Sequence, residues 1–600
     1  MPSSLSLLLC LTLAVSASLA SPRKNLHTLH SRDNTSSDGA YILPMSDDDP
    51  DARANAITVK RNTFLYGPSV AGNTSFWPAG PLGNASVERD YAALRASEVY
   101  IETALSADES AVAAVFMNGS DIQQLSDYEL LYKGQWNGTM PAGLDKGIFT
   151  NYTNDLLFSM ERLSVNPYST KRLDPNADSL PFKVDTAVVS NLTGVSLDSL
   201  LASGRLFYVD HRYQATLQRT SRYGAACDAY FYIHPVTGDF LPLAIRSNVG
   251  NDLVYTPLDS ENDWLLAKMM FNLNDFWHSQ WYHLANTHNV VEIVYEAAIR
   301  TLSDNHPVLG LLNRLTLQIF AFRISAITTL INPGGFIDQL FAFSGAAAGK
   351  TTSDLYQSGA AGAFQANYFI KNLASRNLIN STFGPDLKHF PFLDDAGVIH
   401  TTIQTFMTTF VDSYYPSESL LAQDKEIQAW IDEAKPAQII DFPTTVDRAM
   451  LIDILTHVAF LVSASHQTLN TNDISEASGS LPFHPASLYQ PVPTAKGVTD
   501  IIPFLPNATM SIGQIALTAA FARPEFVNSD LALSHMFDNS TMLARMNPEI
   551  TAAAGAFQNS METFSSLVSS RTFDNEGLSQ GMPFIWKALD PERAPFYLTI

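Results

Sequence analysis

Three histidines and an asparagine stand out for chemistry. His283 and His288 lie in WYHLANTH, residues 281–288, and His466 and Asn470 lie in SASHQTLN, residues 463–470. Both stretches sit inside long apolar runs with helical spacing. A polar side chain in such surroundings is costly unless it is paired. His466 and Asn470 are four apart, which puts an imidazole and an amide oxygen on one helix face. His283 and His288 are five apart. At about 100° per residue that spacing leaves two side chains ~140° apart, on different sides of an α-helix. A π-turn near 283–288 lowers the rotation to roughly 80° per residue and returns both to one side, and such turns occur at functional sites. A metal would then satisfy all four groups. Three neutral imidazoles and a carbonyl oxygen suit iron or manganese. That set carries no compensating negative charge. Taken one at a time, each histidine is also compatible with a packed helix residue satisfied by local hydrogen bonds.

The elements that must position these groups are helices. Apolar residues recur at helical spacing over 261–304, 311–332, 361–379, 400–412, 446–470 and 512–521. HPV at 306–308 and NPGG at 332–335 punctuate the pattern. The 446–470 helix is apolar on nearly all sides, which places it in the centre of a large core. RLFYVD at 205–210 and DAYFYIHP at 228–235 read as strands. The expected fold class is mainly α with minor β-strands.

The chain has 600 residues, a net charge of −23, 46% hydrophobic and 16% charged residues. This is the composition of a globular protein with ample core. The acidic balance disfavours nucleic acid and anionic membrane surfaces as partners. Residues 1–20 read as a secretory signal peptide. No later segment is an uninterrupted transmembrane run. Residues 21–55, with SDDDPDA at 46–52, read as a polar, mobile leader, and 56–600 as one large unit. Cys10 would leave with the signal peptide, so Cys227 alone remains and no internal disulfide can form. Ten N-x-S/T sequons, at Asn34, Asn73, Asn84, Asn118, Asn137, Asn151, Asn191, Asn380, Asn507 and Asn539, fit an extracellular glycoprotein.

Some motifs mislead. GAAAGKTT, 345–352, resembles a phosphate loop, but three residues separate its glycines where that loop needs four. It reads instead as a flexible loop of small residues. Leu284 follows His283 where a zincin needs Glu. Neither a G-x-S-x-G elbow nor a C-x-x-C-H haem site occurs.

The run FWHSQWYHLANTHNVVEIVYEAAIRTLSDNHPVLGLL, 276–312, resembles the metal-binding helix of lipoxygenases, and LVSASHQTLN, 461–470, their second metal helix. LINPGGFID, 330–338, is similar to the segment after their pocket-lining helix. Too little chain precedes His283 for the N-terminal β-barrel of plant and animal members. With the signal peptide and sequons, the chain resembles the secreted fungal branch, often manganese-bearing. The resemblance implies a helical catalytic domain around two long metal-bearing helices. It implies one metal per chain, manganese or alternatively iron, held by His283, His288, His466, Asn470 and the terminal carboxylate of Ile600.

The reaction it implies is dioxygenation of polyunsaturated fatty acids of the linoleic or linolenic type. A metal(III)-hydroxide abstracts a bis-allylic hydrogen, and O2 traps the carbon radical to give a hydroperoxide. The resemblance also places substrate-facing roles on Ala326, Leu330, Ile331, Phe336 and Arg523, and puts His278 and Gln280 behind the ligands. Beyond fatty acid and O2 no partner is expected, and the chain is expected to act as an extracellular monomer. Two other readings are open: a haem fatty-acid dioxygenase, and a metal-free extracellular glycoprotein with a degenerate site.

Overall fold

The computed structural model describes residues 39–67, 77–116, 121–139, 147–470, 480–520 and 528–598. The expected signal peptide, residues 21–38, Asn34, Asn73, Asn118, Arg523 and Ile600 lie outside them. The described residues belong to one compact unit that starts at Asp38.

The end of the expected mobile leader is folded, which corrects that reading. Tyr41 and Ile42 donate their backbone N–H groups to the carbonyls of Arg545 and Asn305. Helix α1, Pro50–Thr63, starts inside the leader and is capped by Asp49, which accepts from the Ala52 N–H. Within the acidic run, Asp47 pairs with the buried Arg53 at 3.1 Å, and Arg53 also pairs with Glu426. The carboxylates that suggested a solvated tail are a cap and an ion-pair partner.

Strands β1, Leu65–Gly67, and β2, Trp77–Ala79, form a small antiparallel pair, and helix α2, Gly80–Val115, runs for 36 residues. A five-stranded antiparallel meander follows in the order β3 (Lys171–Arg172), β4 (Leu206–Asp210), β5 (Asp228–Ile233), β6 (Phe240–Ser247) and β7 (Leu253–Tyr255). Both expected strands are there, and β5 is buried along its whole length because it is central and covered on both faces.

The site-bearing part is helical. Helix α3, Glu261–His283, passes through a π-helical segment, Leu284–Asn289, into α4, Val290–Thr301. Helix α5, Pro307–Leu315, is followed by α6, Ala321–Ser325, and a π segment, Ala326–Leu330. The continuous helix expected over 311–332 is therefore broken at 316–320. Gln318 takes a positive φ there, and Asp90 on α2 accepts the Phe320 N–H at 3.3 Å. Helix α7, Gly345–Gln357, replaces the flexible loop expected at 345–352. Ser344 caps it by accepting from the Ala347 N–H, and Gly345 abuts the Ile331 backbone so closely that a Cβ would stand 2.4 Å from the Ile331 oxygen. Over 361–379 the helix shrinks to Phe369–Ser375, preceded by turns.

Helices α8, Pro391–Tyr414, and α9, Lys425–Glu433, lead to α10, Arg448–Phe460. A third π segment, Leu461–Ser465, joins α10 to α11, His466–Leu469. Helices α12, Ala508–Ala519, and α13, Pro548–Ser569, follow. The stretch Arg448–Leu469 is long and apolar enough to cross a membrane, but most of it is buried inside the protein. Leu451, Ile454, Leu455, Val458 and Val462 are fully enclosed, as the all-round apolar pattern predicted.

This core also holds histidines that stay neutral. His457 on α10 is buried, and neither ring nitrogen has a hydrogen-bond partner among the described residues. Burial, then the charge of His400, lowers its pKa to about 3. Below the ordinary value of about 6.5 the unfolded chain gains a proton that the folded chain refuses. The contribution of neutral His457 is full above pH ~6.5 and is lost as pH falls toward the folded value, by up to about 1.4 kcal/mol per unit. Thermal midpoints should therefore fall steadily between pH ~6.5 and ~4, with a shallower slope in His457→Phe. An identical slope in that variant would contradict the burial of a neutral imidazole.

Candidate metal centre

Two π segments aim the ligands. In LANTHN the Thr287 hydroxyl donates to the His283 carbonyl at 2.7 Å, the bond its own backbone N–H would make in an α-helix. In LVSAS the Ser463 hydroxyl does the same to Ala459 at 2.6 Å, and Thr468, one turn on, to Ala464 at 2.8 Å. In AITTL, Thr328 and Thr329 back-bond to Ile324 and Ser325 at 2.7 and 2.6 Å. Each π segment thus carries a hydroxyl that competes for a carbonyl four residues back.

The widened turn brings His283 and His288 together as the five-residue spacing required. Their ring centroids are 5.4 Å apart, His283 and His466 stand 5.4 Å apart, and His288 and His466 stand 4.9 Å apart. One nitrogen from each lies within 4.8 Å of the others. All three residues are buried.

The donor set fits a metal ion. Burial lowers the pKa of His283 to about 4, and burial with neighbouring imidazoles lowers those of His288 and His466 far more. All three are therefore neutral near pH 7 and have lone pairs to give. The Nε2 atoms of His288 and His466 are 3.0 Å apart. Two nitrogens bound cis to one octahedral ion at about 2.1 Å stand about 3.0 Å apart. The amide of Asn470 reaches within 3.2 Å of the same His466 Nε2. A half-turn of that amide exchanges its nitrogen for its oxygen at nearly the same place, so Oδ1 can serve as a donor.

Neighbouring groups hold this arrangement. Gln280 donates from Nε2 to the Leu469 carbonyl at 3.0 Å, tying α3 to the turn that carries Asn470. The Asn286 amide donates to the Ala361 carbonyl at 3.0 Å, and its Oδ1 lies 3.4 Å from the Ser465 hydroxyl. Tyr168 meets Ser465 at 2.9 Å. His278 belongs to a different cluster. Its Nδ1 meets the Tyr213 hydroxyl at 3.2 Å and its ring lies 5.0 Å from that of His211. Burial, then the charge of His211, lowers its pKa to about 3.

A small apolar cluster adjoins the histidines. Leu94 on α2, Ala321, Phe322 and Ala326 are buried together, with Tyr91, Leu284 and Leu330 packed against them. Phe322 stacks on the His288 ring, 4.2 Å between centroids and 27° between planes. Of the expected pocket residues, Ala326 and Leu330 belong to the cluster whose Phe322 stacks on His288. Ile331 packs instead with the main core. Phe336 is 43% exposed, because Ile337 and Leu340 take the inward positions of its short helix, Phe336–Leu340. Arg523 and Ile600, outside the described residues, have no placement here. Sequence reasoning missed Phe322, Leu284, Tyr91 and Leu94. Leu284 was legible from its place between two ligands, whereas Tyr91 and Leu94 come from a helix some 200 residues earlier.

Comparison with known proteins follows the same lines. A family model described as "Lipoxygenase" matches residues 160–576. The chain is 48% identical over 565 residues to the manganese lipoxygenase of Colletotrichum gloeosporioides, covering 93% of each protein. It is 48% identical over 565 residues to that of Fusarium oxysporum, covering 93% of this chain and 92% of that one. A solved structure titled "Manganese Lipoxygenase" superimposes with a TM-score of 0.91 at 44% identity, covering 94% of this chain and 100% of the other. A coral 8R-lipoxygenase shares the fold at a TM-score of 0.76 and 22% identity, covering 94% and 83%.

Proposed function

This chain belongs to the lipoxygenase family, and on that premise we propose that it is a manganese-dependent dioxygenase of 1,4-pentadiene fatty acids such as linoleic and linolenic acid, exported from the cell. The convergence of His283, His288 and His466 is the observation that carries the reading. Asn470 stands beside them, and the family resemblance adds the terminal carboxylate of Ile600 as the charged donor that three imidazoles and an amide lack. Manganese rests on the relatives, whose names specify that metal.

The bound ion supplies one-electron chemistry at a bis-allylic C–H, which side chains alone cannot provide. The protein's own part is positioning. Neutral, desolvated imidazoles offer lone pairs without having to lose a proton. Phe322 covers His288 with apolar surface, backed by the cluster that includes Leu284, and would limit water at the reacting carbon. Leu330 and Leu94 would flank the pentadiene. Ala326, with only a methyl group, would leave room for O2 near one end of it. Arg523 would pair with the fatty-acid carboxylate.

Export rests on residues 1–20 and on sequons at Asn84, Asn137, Asn191, Asn380 and Asn507, all exposed. Asn151 differs: its half-buried amide nitrogen donates to the Pro583 carbonyl, so a glycan there would have to replace the other hydrogen of a nitrogen already engaged by the protein. The test of function is oxygen uptake by the purified, manganese-loaded protein. Linoleic acid should give uptake together with conjugated-diene absorbance, and oleic acid, which lacks a pentadiene, should give neither. Loaded, folded protein that leaves linoleic and linolenic acid unchanged would contradict the reading.

A further inference from the structure

We propose that the buried Glu292–Arg323 ion pair is a positioning device that fixes where oxygen meets the bound fatty acid, by clamping the apolar wall of the site to the metal-bearing helix. This rests on the lipoxygenase reading above. Glu292 lies on α4 four residues after His288, so the two share a helix face. Arg323 lies on α6, and its Nε stands 2.8 Å from Glu292 Oε1 and 2.9 Å from Oε2. The two side chains are 8% and 1% exposed. Arg323 directly follows Phe322, which stacks on His288, and precedes Ala326 by three residues. One ion pair therefore governs both the cover over a ligand and the small residue of the wall.

The wall needs an external clamp. Helix α6 and its π extension together span only Ala321–Leu330, between the break at 316–320 and the turn that follows. So short a helix has little rigidity of its own. The outer face of its π extension, at Thr328 and Thr329, is exposed, so nothing covers it from that side among the described residues. A buried ion pair gives little net stability against an apolar pair of the same volume, but it fixes an orientation. Glu296, one turn beyond Glu292, is also buried, and neither of its oxygens has a partner among the described residues. Arg323 thus pairs with one carboxylate, while a second carboxyl lies one turn further along α4. Oxygen adds to a pentadienyl radical at whichever end the wall leaves open. Rotating α6 by a few degrees moves Ala326 and Leu330 together and changes which end that is.

The test compares wild type, the double variant Glu292→Gln with Arg323→Met, and Arg323→Lys. Each is assayed for manganese content, thermal midpoint, and the positional and chiral composition of linoleate hydroperoxides. The double variant removes both charges at nearly constant volume. It should bind manganese and fold, while the minor positional isomer rises severalfold and enantiomeric purity falls. Arg323→Lys should restore most of the wild-type pattern. If the double variant does not fold, Glu292→Asp keeps both charges but shortens the reach, and should shift the same ratio. Folded, loaded variants with the wild-type isomer pattern would overturn the proposal. Wild type that makes no hydroperoxide at all would overturn the functional reading instead.

Discussion

Replacing His466 with alanine is expected to abolish manganese binding and dioxygenase activity together while the chain stays folded. His466 lies within 5.4 Å of both other rings, and the Asn470 amide leans on it. Removing it takes one donor outright and leaves Asn470 without its contact. Loss of a partner behind a ligand already costs ~10–100-fold in metal affinity, so loss of a ligand should cost more than ~100-fold. The variant is checked by elemental analysis after dialysis, by circular dichroism and by oxygen uptake with linoleic acid. His278→Ala is the informative contrast. His278 lies in the cluster with Tyr213 and His211, so its loss should leave stoichiometric metal. A His466→Ala protein with one manganese per chain and wild-type turnover would contradict the site.

The second large effect concerns a charge network that anchors α3. Arg162 is enclosed, and both of its terminal nitrogens reach Asn272 Oδ1, at 3.0 and 2.9 Å. It pairs with Glu161 at 2.9 Å and with Asp275 at 3.4 Å. His211 meets Asp275 at 2.8 Å, and His484 meets Glu161 at 3.2 Å. Burial alone would raise the pKa of Asp275, but Arg162 and the hydrogen bond from His211 more than reverse it and hold the carboxyl below its usual range. Asn272 and Asp275 lie on α3, two to three turns before His283, so the network fixes the base of the metal-bearing helix. Arg162→Met would leave two buried carboxylates short of a cation. Breaking a buried pair from one side costs about 3–5 kcal/mol. The thermal midpoint should drop by several degrees, and the half-life of activity on heating should shorten with it. Adding Asp275→Asn should recover part of the loss, because it removes one stranded charge. A variant as stable as wild type would show that the network does not carry α3.

Much of the site was legible in the sequence because the site is local. The five-residue spacing of His283 and His288 makes sense on one face only with a π-turn, and that turn spans Leu284–Asn289. The i, i+4 pair His466 and Asn470 needed no more than helix geometry. The other two π segments were also written in the chain, as Ser and Thr inside apolar helices, a signal the periodicity alone did not weigh. What was not legible depends on distant residues. The break at 316–320 relies on Asp90, some 230 positions earlier. The folded start of the chain relies on Glu426, Asn305 and Arg545. The 345–357 helix was masked by its small residues, which suit its close approach to Ile331 rather than a loop. The inward face at 336–340 went to Ile337 and Leu340, a choice that alternation of apolar residues does not settle for Phe336.

Elemental analysis of the purified full-length protein is the most direct measure of the central claim. The account predicts about one manganese per chain and negligible iron, lost in His466→Ala. Iron at one per chain would keep the dioxygenase and overturn the metal. Folded protein that holds neither metal, even after incubation with both, would contradict a metal centre at His283, His288 and His466.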